Sequence, residues 1–149
     1  MNEKIKLMQP SVGDEELRLV EQVIKSGNLV EGKMVEEFEK TVCEFTGAKY
    51  GVACTSATTG LELALRALGI GAGDEVIIPD FTHPATALVV QTVGATPILV
   101  DVDLKSYNTT APHIKGAITG RTKAIIPVSI FGNPLDMDQL MGIGRENNI

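Results

Sequence analysis

From residue 50 onward the chain alternates short, continuously apolar runs with segments of helical periodicity, and that order leaves few folds open. The apolar runs are residues 50–54 (YGVAC), 75–79 (EVIIP), 96–103 (TPILVDVD) and 122–130 (TKAIIPVSI). They do not alternate apolar with polar residues, as a strand wetted on one face would, so they read as strands buried on both faces. Between and after them lie helical patterns. In residues 59–69, Leu61, Ala64, Leu65 and Leu68 share one face and Gly69 ends it; the others span residues 83–94, 111–118 and 135–147. Pro84 and Pro112 stand near helix starts, and Asp136 is placed to cap the last helix. Strand–helix alternation of this kind predicts an α/β fold with a parallel sheet covered on both faces. Right-handed crossovers then bring the C-terminal end of every strand to one edge, where open α/β sheets bind ligands. The loops expected there are residues 55–59, 79–84, 101–108 and 129–134.

Two helical patterns precede the sheet. The first carries Leu17, Val20 and Ile24 on one face, opens on Ser11 followed by Asp14, and ends at Gly27; the second carries Val35, Phe38, Val42 and Phe45 and closes at Gly47. Residues 1–49 therefore read as an N-terminal helical segment and residues 50–149 as the α/β part. The 149 residues suffice for a real core, and 44% are hydrophobic. A net charge of −6 offers no footprint for nucleic acid or anionic membrane. The two cysteines, Cys43 and Cys54, read as small hydrophobes of a reduced protein. The opening MNEKIKLMQP has no apolar leader core and no apolar run approaches 18 residues. The expectation is a soluble, cytoplasmic protein.

Residues 54–65, CTSATTGLELAL, hold five small or hydroxylated residues where a strand turns into a helix. Ser and Thr there can serve as an ordinary N-cap, or the free N–H groups of the helix start can hold an anion. The place of this turn at the ligand edge favours the anion. Neither GxGxxG nor GxxxxGK[ST] is present, so the cradle is not a Rossmann or P-loop type. The amides of Ala57 and Thr58, with the hydroxyl of Ser56 or Thr58, would suit one phosphate group. His83, in the next loop of that edge, can stack on a flat ring, accept a proton or cap its helix. Asp101 and Asp103 lie two residues apart, on one face if extended, and a shared metal is not expected of them. His113 reads as exposed at a helix start.

Several stretches resemble the N-terminal part of the DegT/DnrJ/EryC1/StrS family of pyridoxal-phosphate-dependent sugar aminotransferases. They are SGNLVEGKMVEEFEK, TSATTGLELALRALGIGAGDEVIIPDFTHPATA, GATPILVDVDLKSYN and ITGRTKAIIPVSIFGNPLDMD. The resemblance implies a three-layer α-β-α sandwich with a mostly parallel sheet, the large domain of the aspartate-aminotransferase type (fold type I), here incomplete. It implies transfer of an amino group from glutamate or glutamine to a keto-sugar on a nucleotide carrier, by a homodimer using pyridoxal 5'-phosphate. Carried over by position, Ser56, Ala57 and Thr58 match the segment holding the cofactor phosphate. His83 matches the residue stacked on the pyridine ring, and Asn28 and Leu29 match a segment near the substrate entrance.

The chain departs from the family pattern at four of the compared positions. Ala57 stands where Gly is common, His83 where Phe, Tyr or Trp is common, and Ser129 and Asn133 where His and Gln are frequent. The family's Asp for the pyridine nitrogen and its cofactor-binding lysine fall beyond residue 149. The nine lysines here, at 4, 6, 25, 33, 40, 49, 105, 115 and 123, lie outside that lysine's context. The chain thus reads as an N-terminal part of the enzyme, with no catalytic residue of its own and inactive alone. Two other readings are a non-catalytic module binding a phosphate or nucleotide-sugar, and a sugar dehydratase relative in which His replaces the lysine.

Overall fold

The computed structural model describes residues 9–149; the reading of the first eight residues as lacking a leader core lies outside them. The chain divides into two compact units at Ala53/Cys54, each described by itself.

The first unit contains α1 (Asp14–Ser26) and α2 (Lys33–Thr46). The cap of α1 differs from the expected Ser11–Asp14 signal. Gly13 is the N-cap, and its N–H donates to Glu16 Oε2 at 2.7 Å, while Asp14, Glu15 and Glu16 place negative charge at the positive end of the helix. Gly27 and Gly47 end the two helices with φ of 71° and 74°, the left-handed conformation that glycine adopts without strain. Both apolar stripes, including Leu17, Ile24, Phe38 and Phe45, are exposed.

Residues 50–54 form no strand, contrary to the expectation, and Tyr50 and Val52 are exposed. A strand exists by its ladder, and none of the three strands pairs with this segment. Within its unit the segment leans on α2: Ala53 N–H donates to Glu39 Oε1 at 2.7 Å. Gly51 allows that approach, since a Cβ there would stand 2.9 Å from Cys43 Sγ.

The second unit contains α3 (Ala57–Ala67), β1 (Glu75–Pro79), α4 (Ala85–Thr92), β2 (Thr96–Val100), α5 (Ala111–Ala117), β3 (Thr122–Ile125) and α6 (Met137–Asn147), with a 3-10 turn at Ile130–Gly132. The strands are parallel in the order β2-β1-β3. β1 is central and buried at all five positions. Val76 and Ile78 pack with Leu65 of α3 and Val89 and Val90 of α4; Ile77 faces the other way, into Ile114 of α5 and Leu140 and Ile143 of α6. The period-2 alternation of one strand thus fills two cores, making the α-β-α layers. Each such buried aliphatic side chain stabilises the fold by about 1.5–3 kcal/mol.

β2 and β3 are shorter than their apolar runs. β2 stops at Val100, where the carboxylates of Asp101 and Asp103 take backbone N–H groups of the following turn. β3 ends at Ile125, and Ile126 adds one further bond, its N–H donating to Ile77 C=O at 2.9 Å. The outer edge of β3 opens on a groove of about 900 Å³ lined by Leu68, Ile70, Ile125, Met137, Leu140 and Met141, among others.

At the opposite end of β1 from the ligand loops, buried Glu75 ties the sheet together. It accepts the Thr119 hydroxyl and the Arg121 guanidinium, whose Nε is 2.9 Å away, while its own N–H donates to Arg121 C=O. The Thr119 hydroxyl first, then Arg121, holds the Glu75 carboxyl below the usual glutamate range. With its folded value depressed, Glu75 contributes stability fully above its unfolded pKa of about 4.3, and loses it as pH falls through the folded value. Glu75→Gln is expected to lower stability at neutral pH and to flatten the acid limb of a melting-temperature profile below about pH 4.3; an unchanged acid limb contradicts the assignment.

The open β3 edge and the exposed apolar stripes of α1 and α2 each favour association. Residues 1–149 expressed by themselves are expected to associate with increasing concentration in sedimentation velocity. A monomer throughout would show that these surfaces are inert.

Candidate functional site

The sheet brings two helix N-termini to one edge. α4 follows β1 after a short loop, so it starts at the C-terminal end of the strand. α3 reaches the start of β1 through residues 68–74 and packs on the same face. It therefore runs antiparallel to β1, and its N-terminus lies at that same C-terminal edge. The loops after β2 and β3 arrive there because all three strands are parallel.

At the start of α3 the cap and the anion site are not alternatives. Ser56 is the N-cap, in extended conformation, and its Oγ accepts the N–H of Thr59 at 3.2 Å. The Thr59 hydroxyl lies 3.1 Å from Ser56 Oγ and 3.2 Å from Thr55 Oγ1. The cap satisfies the third amide of the helix. Among the described residues, nothing accepts the N–H groups of Ala57 and Thr58, and both residues are exposed. Two free amides at the positive end of an eleven-residue helix can hold an anion, and the small side chain at 57 leaves room for it.

At the start of α4, His83 Nδ1 accepts the N–H of Ala85 at 3.1 Å. In the neutral ring the hydrogen therefore sits on Nε2. The ring is exposed and close to the helix start, free to meet a flat group. Behind it, Thr82 and the buried Thr86 share a hydroxyl contact of 3.1 Å.

Asn28 and Leu29 lie in the turn between α1 and α2, in the first unit. Asn28 N–H donates to Ser26 Oγ at 3.1 Å and its Nδ2 to Glu31 C=O at 3.1 Å, while Leu29 is exposed. Their site role stands on the resemblance. Asp103 folds its own turn: Oδ2 accepts the N–H groups of Ser106 and Lys105 and the Ser106 hydroxyl. The Ser106 N–H first, then that of Lys105, holds its carboxyl below the usual aspartate range. His113 Nδ1 is 3.2 Å from Thr110 Oγ1 at the start of α5.

One constellation was missed in the sequence. Phe81, Tyr107 and Phe131, one from each loop after a strand, form a cluster with ring centroids 5.6 Å (Phe81–Tyr107) and 6.3 Å (Phe81–Phe131) apart. Tyr107 and Phe131 have φ of 58° and 53°, left-handed conformations that cost a bulky residue on the order of 1–3 kcal/mol each. The available signal was the distribution of aromatic residues: four Phe, two Tyr and no Trp in the chain, three of them at this edge.

Ser56→Ala is expected to cost about 1 kcal/mol of stability through loss of the cap. Ser56→Asp, a cap of similar strength, is expected to keep stability yet weaken anion binding by its charge. Chemical denaturation and a phosphate titration followed on the Ala57 and Thr58 amides check the pair; equal anion binding by wild type and Ser56→Asp contradicts the cradle.

Residues 10–149 match the model of the DegT/DnrJ/EryC1/StrS aminotransferase family. The chain is also similar to solved structures. An aminotransferase from Psychrobacter cryohalolentis is 37% identical with a TM-score of 0.89, over 94% of this chain and 36% of that one. Spr1654 from Streptococcus pneumoniae in its PLP form is 36% identical with a TM-score of 0.88, over 93% and 36%. NtdA from Bacillus subtilis with bound cofactor PMP is 32% identical with a TM-score of 0.85, over 89% and 31%. The chain thus spans about a third of the length of these structures.

Proposed function

The chain belongs to the DegT/DnrJ/EryC1/StrS aminotransferase family, and on that premise we propose that it supplies the cofactor-phosphate cradle and ring-stacking face of a pyridoxal-phosphate-dependent aminotransferase. The observation that carries this reading is the pair of unpartnered amides at Ala57 and Thr58 beside the Ser56 cap. The PLP and PMP forms of the similar structures support the choice of anion.

The residues present fit the cofactor. Ala57 and Thr58 donate N–H groups to the phosphate and the Thr58 hydroxyl adds a third donor, in the favourable field of the α3 N-terminus. Ser56 holds the helix start in shape. His83 offers a ring face to the pyridine ring, with Nδ1 fixed by Ala85 N–H so that the ring keeps one orientation. Pyridoxal phosphate supplies an aldehyde that takes up an amino group and a ring that draws electrons from the carbon bearing it. The acceptor is a keto-sugar on a nucleotide carrier and the donor glutamate or glutamine, with Asn28 and Leu29 near the substrate entrance. The active protein is a cytoplasmic homodimer. These 149 residues by themselves are read as not transaminating, since the nine lysines lie outside the family's lysine context.

Thr58→Val in the complete protein is expected to weaken the cofactor roughly tenfold or more, the loss of one charge-assisted hydrogen bond of about 1.5–3 kcal/mol. His83→Phe is expected to keep cofactor binding, and His83→Ala to lose about 0.5–1.5 kcal/mol of it. Titration of pyridoxal phosphate by absorbance decides both: unchanged affinity in Thr58→Val removes the cradle, and like behaviour of Phe and Ala removes the stacking role.

A further inference from the structure

We propose that Asn108 is a positioning residue: it locks the loops after β2 and β3 to one another, so that Tyr107 and Phe131 hold Phe81, and with it the adjoining Thr82–His83 turn, at the sheet edge. Only its bearing on the cofactor rests on the proposed function.

Asn108 is 5% exposed and lies in the first of these loops. Its Nδ2 donates to Asn133 C=O at 2.8 Å and its Oδ1 accepts Ile130 N–H at 3.1 Å, so one buried amide grips both ends of the 3-10 turn that carries Phe131. The grip is returned: Asn133 Nδ2 donates to Ser106 C=O at 3.1 Å. Within its own loop, Asn108 C=O accepts Asp103 N–H at 3.0 Å and Tyr107 N–H donates to Asp103 C=O at 2.8 Å.

The residue next to Asn108 is Tyr107, and the residue next to Ile130 is Phe131. These are two of the three non-glycine residues with left-handed backbone among the described residues. Bulky aromatic residues keep that conformation only where surrounding bonds impose it, and the Asn108 and Asn133 bonds flank both residues, beside the turn bonds Tyr107 N–H to Asp103 C=O and Gly132 N–H to Ser129 C=O. The imposed conformation aims both rings at Phe81, which is two residues from His83. Deleting the Asn108 amide would leave Ile130 N–H and Asn133 C=O without it and free both strained residues to relax.

The test is NMR of the full chain with ring-labelled Tyr and His, assigned through Tyr107→Phe and His83→Asn. Three variants are compared with wild type. Asn108→Ala removes the clamp. Phe131→Gly relieves the left-handed strain and deletes a ring that is 78% exposed. Leu104→Ala is an exposed control in the same loop. In Asn108→Ala, the Tyr107 and His83 ring resonances are expected to shift from their wild-type positions, and in Leu104→Ala they stay. In Phe131→Gly, the same resonances are expected to move with no fall in melting temperature, an outcome that a merely stabilising role does not give. Wild-type positions for both rings in Asn108→Ala overturn the proposal, as does a Phe131→Gly variant that leaves them in place. A parallel titration of the wild type with pyridoxal phosphate judges the proposed function separately: failure to bind removes that function and leaves the ring shifts to decide the clamp.

Discussion

β1 has to be buried on both faces, and the rest of the second unit follows from that requirement. A five-residue strand with Val76 and Ile78 on one side and Ile77 on the other exposes apolar surface unless helices cover both layers. α3 and α4 cover one, α5 and α6 the other. Its ladder is shared by β2 and β3, so the central strand fixes the parallel direction of its neighbours and the edge at which every loop emerges. Glu75 belongs to the same constraint. Its carboxylate is carried into the sheet by the register of β1 and is tolerable there because Thr119 and Arg121 meet it.

The candidate site is a consequence of that layering. Two helix N-termini and three loops converge because the strands are parallel and α3 runs against β1. Cap and cradle coexist at Ser56–Thr58 because a helix start has several free amides and a single hydroxyl takes one. The N–H left at 57 and 58 is what an anion uses. His83 spends Nδ1 on the start of α4, leaving its ring face and Nε2 outward.

The first unit poses the reverse problem. Its helices have amphipathic patterns as regular as those of the second unit, and yet their apolar faces are exposed. Periodicity shows that a face is meant to be covered, and says nothing of what covers it. The same holds for residues 50–54, whose composition reads as a buried strand and which pair with no strand of this sheet.

The strand–helix order from residue 75 onward, the helix ends at Gly27 and Gly47, the cap at Asp136 and the loop at 79–84 were legible in the sequence, whereas residues 57–59, read as loop, are the first turn of α3 with Ser56 as its cap. The reason is that periodicity, capping and turn chemistry act over about four residues, and residues that close are visible in a linear reading. The parallel α/β class came with them, since non-alternating runs separated by helices admit little else. What only the tertiary structure decided lies farther apart along the chain. Glu75 meets Arg121 across 46 positions and Asn108 meets Asn133 across 25, and Phe81, Tyr107 and Phe131 meet from three separate loops. The helix cap at Gly13, the unpaired state of residues 50–54 and the left-handed backbone of Tyr107 and Phe131 were likewise settled by neighbours in space. A buried polar group or a strained residue is set by what packs against it, and the identity of those partners depends on the path of the whole chain.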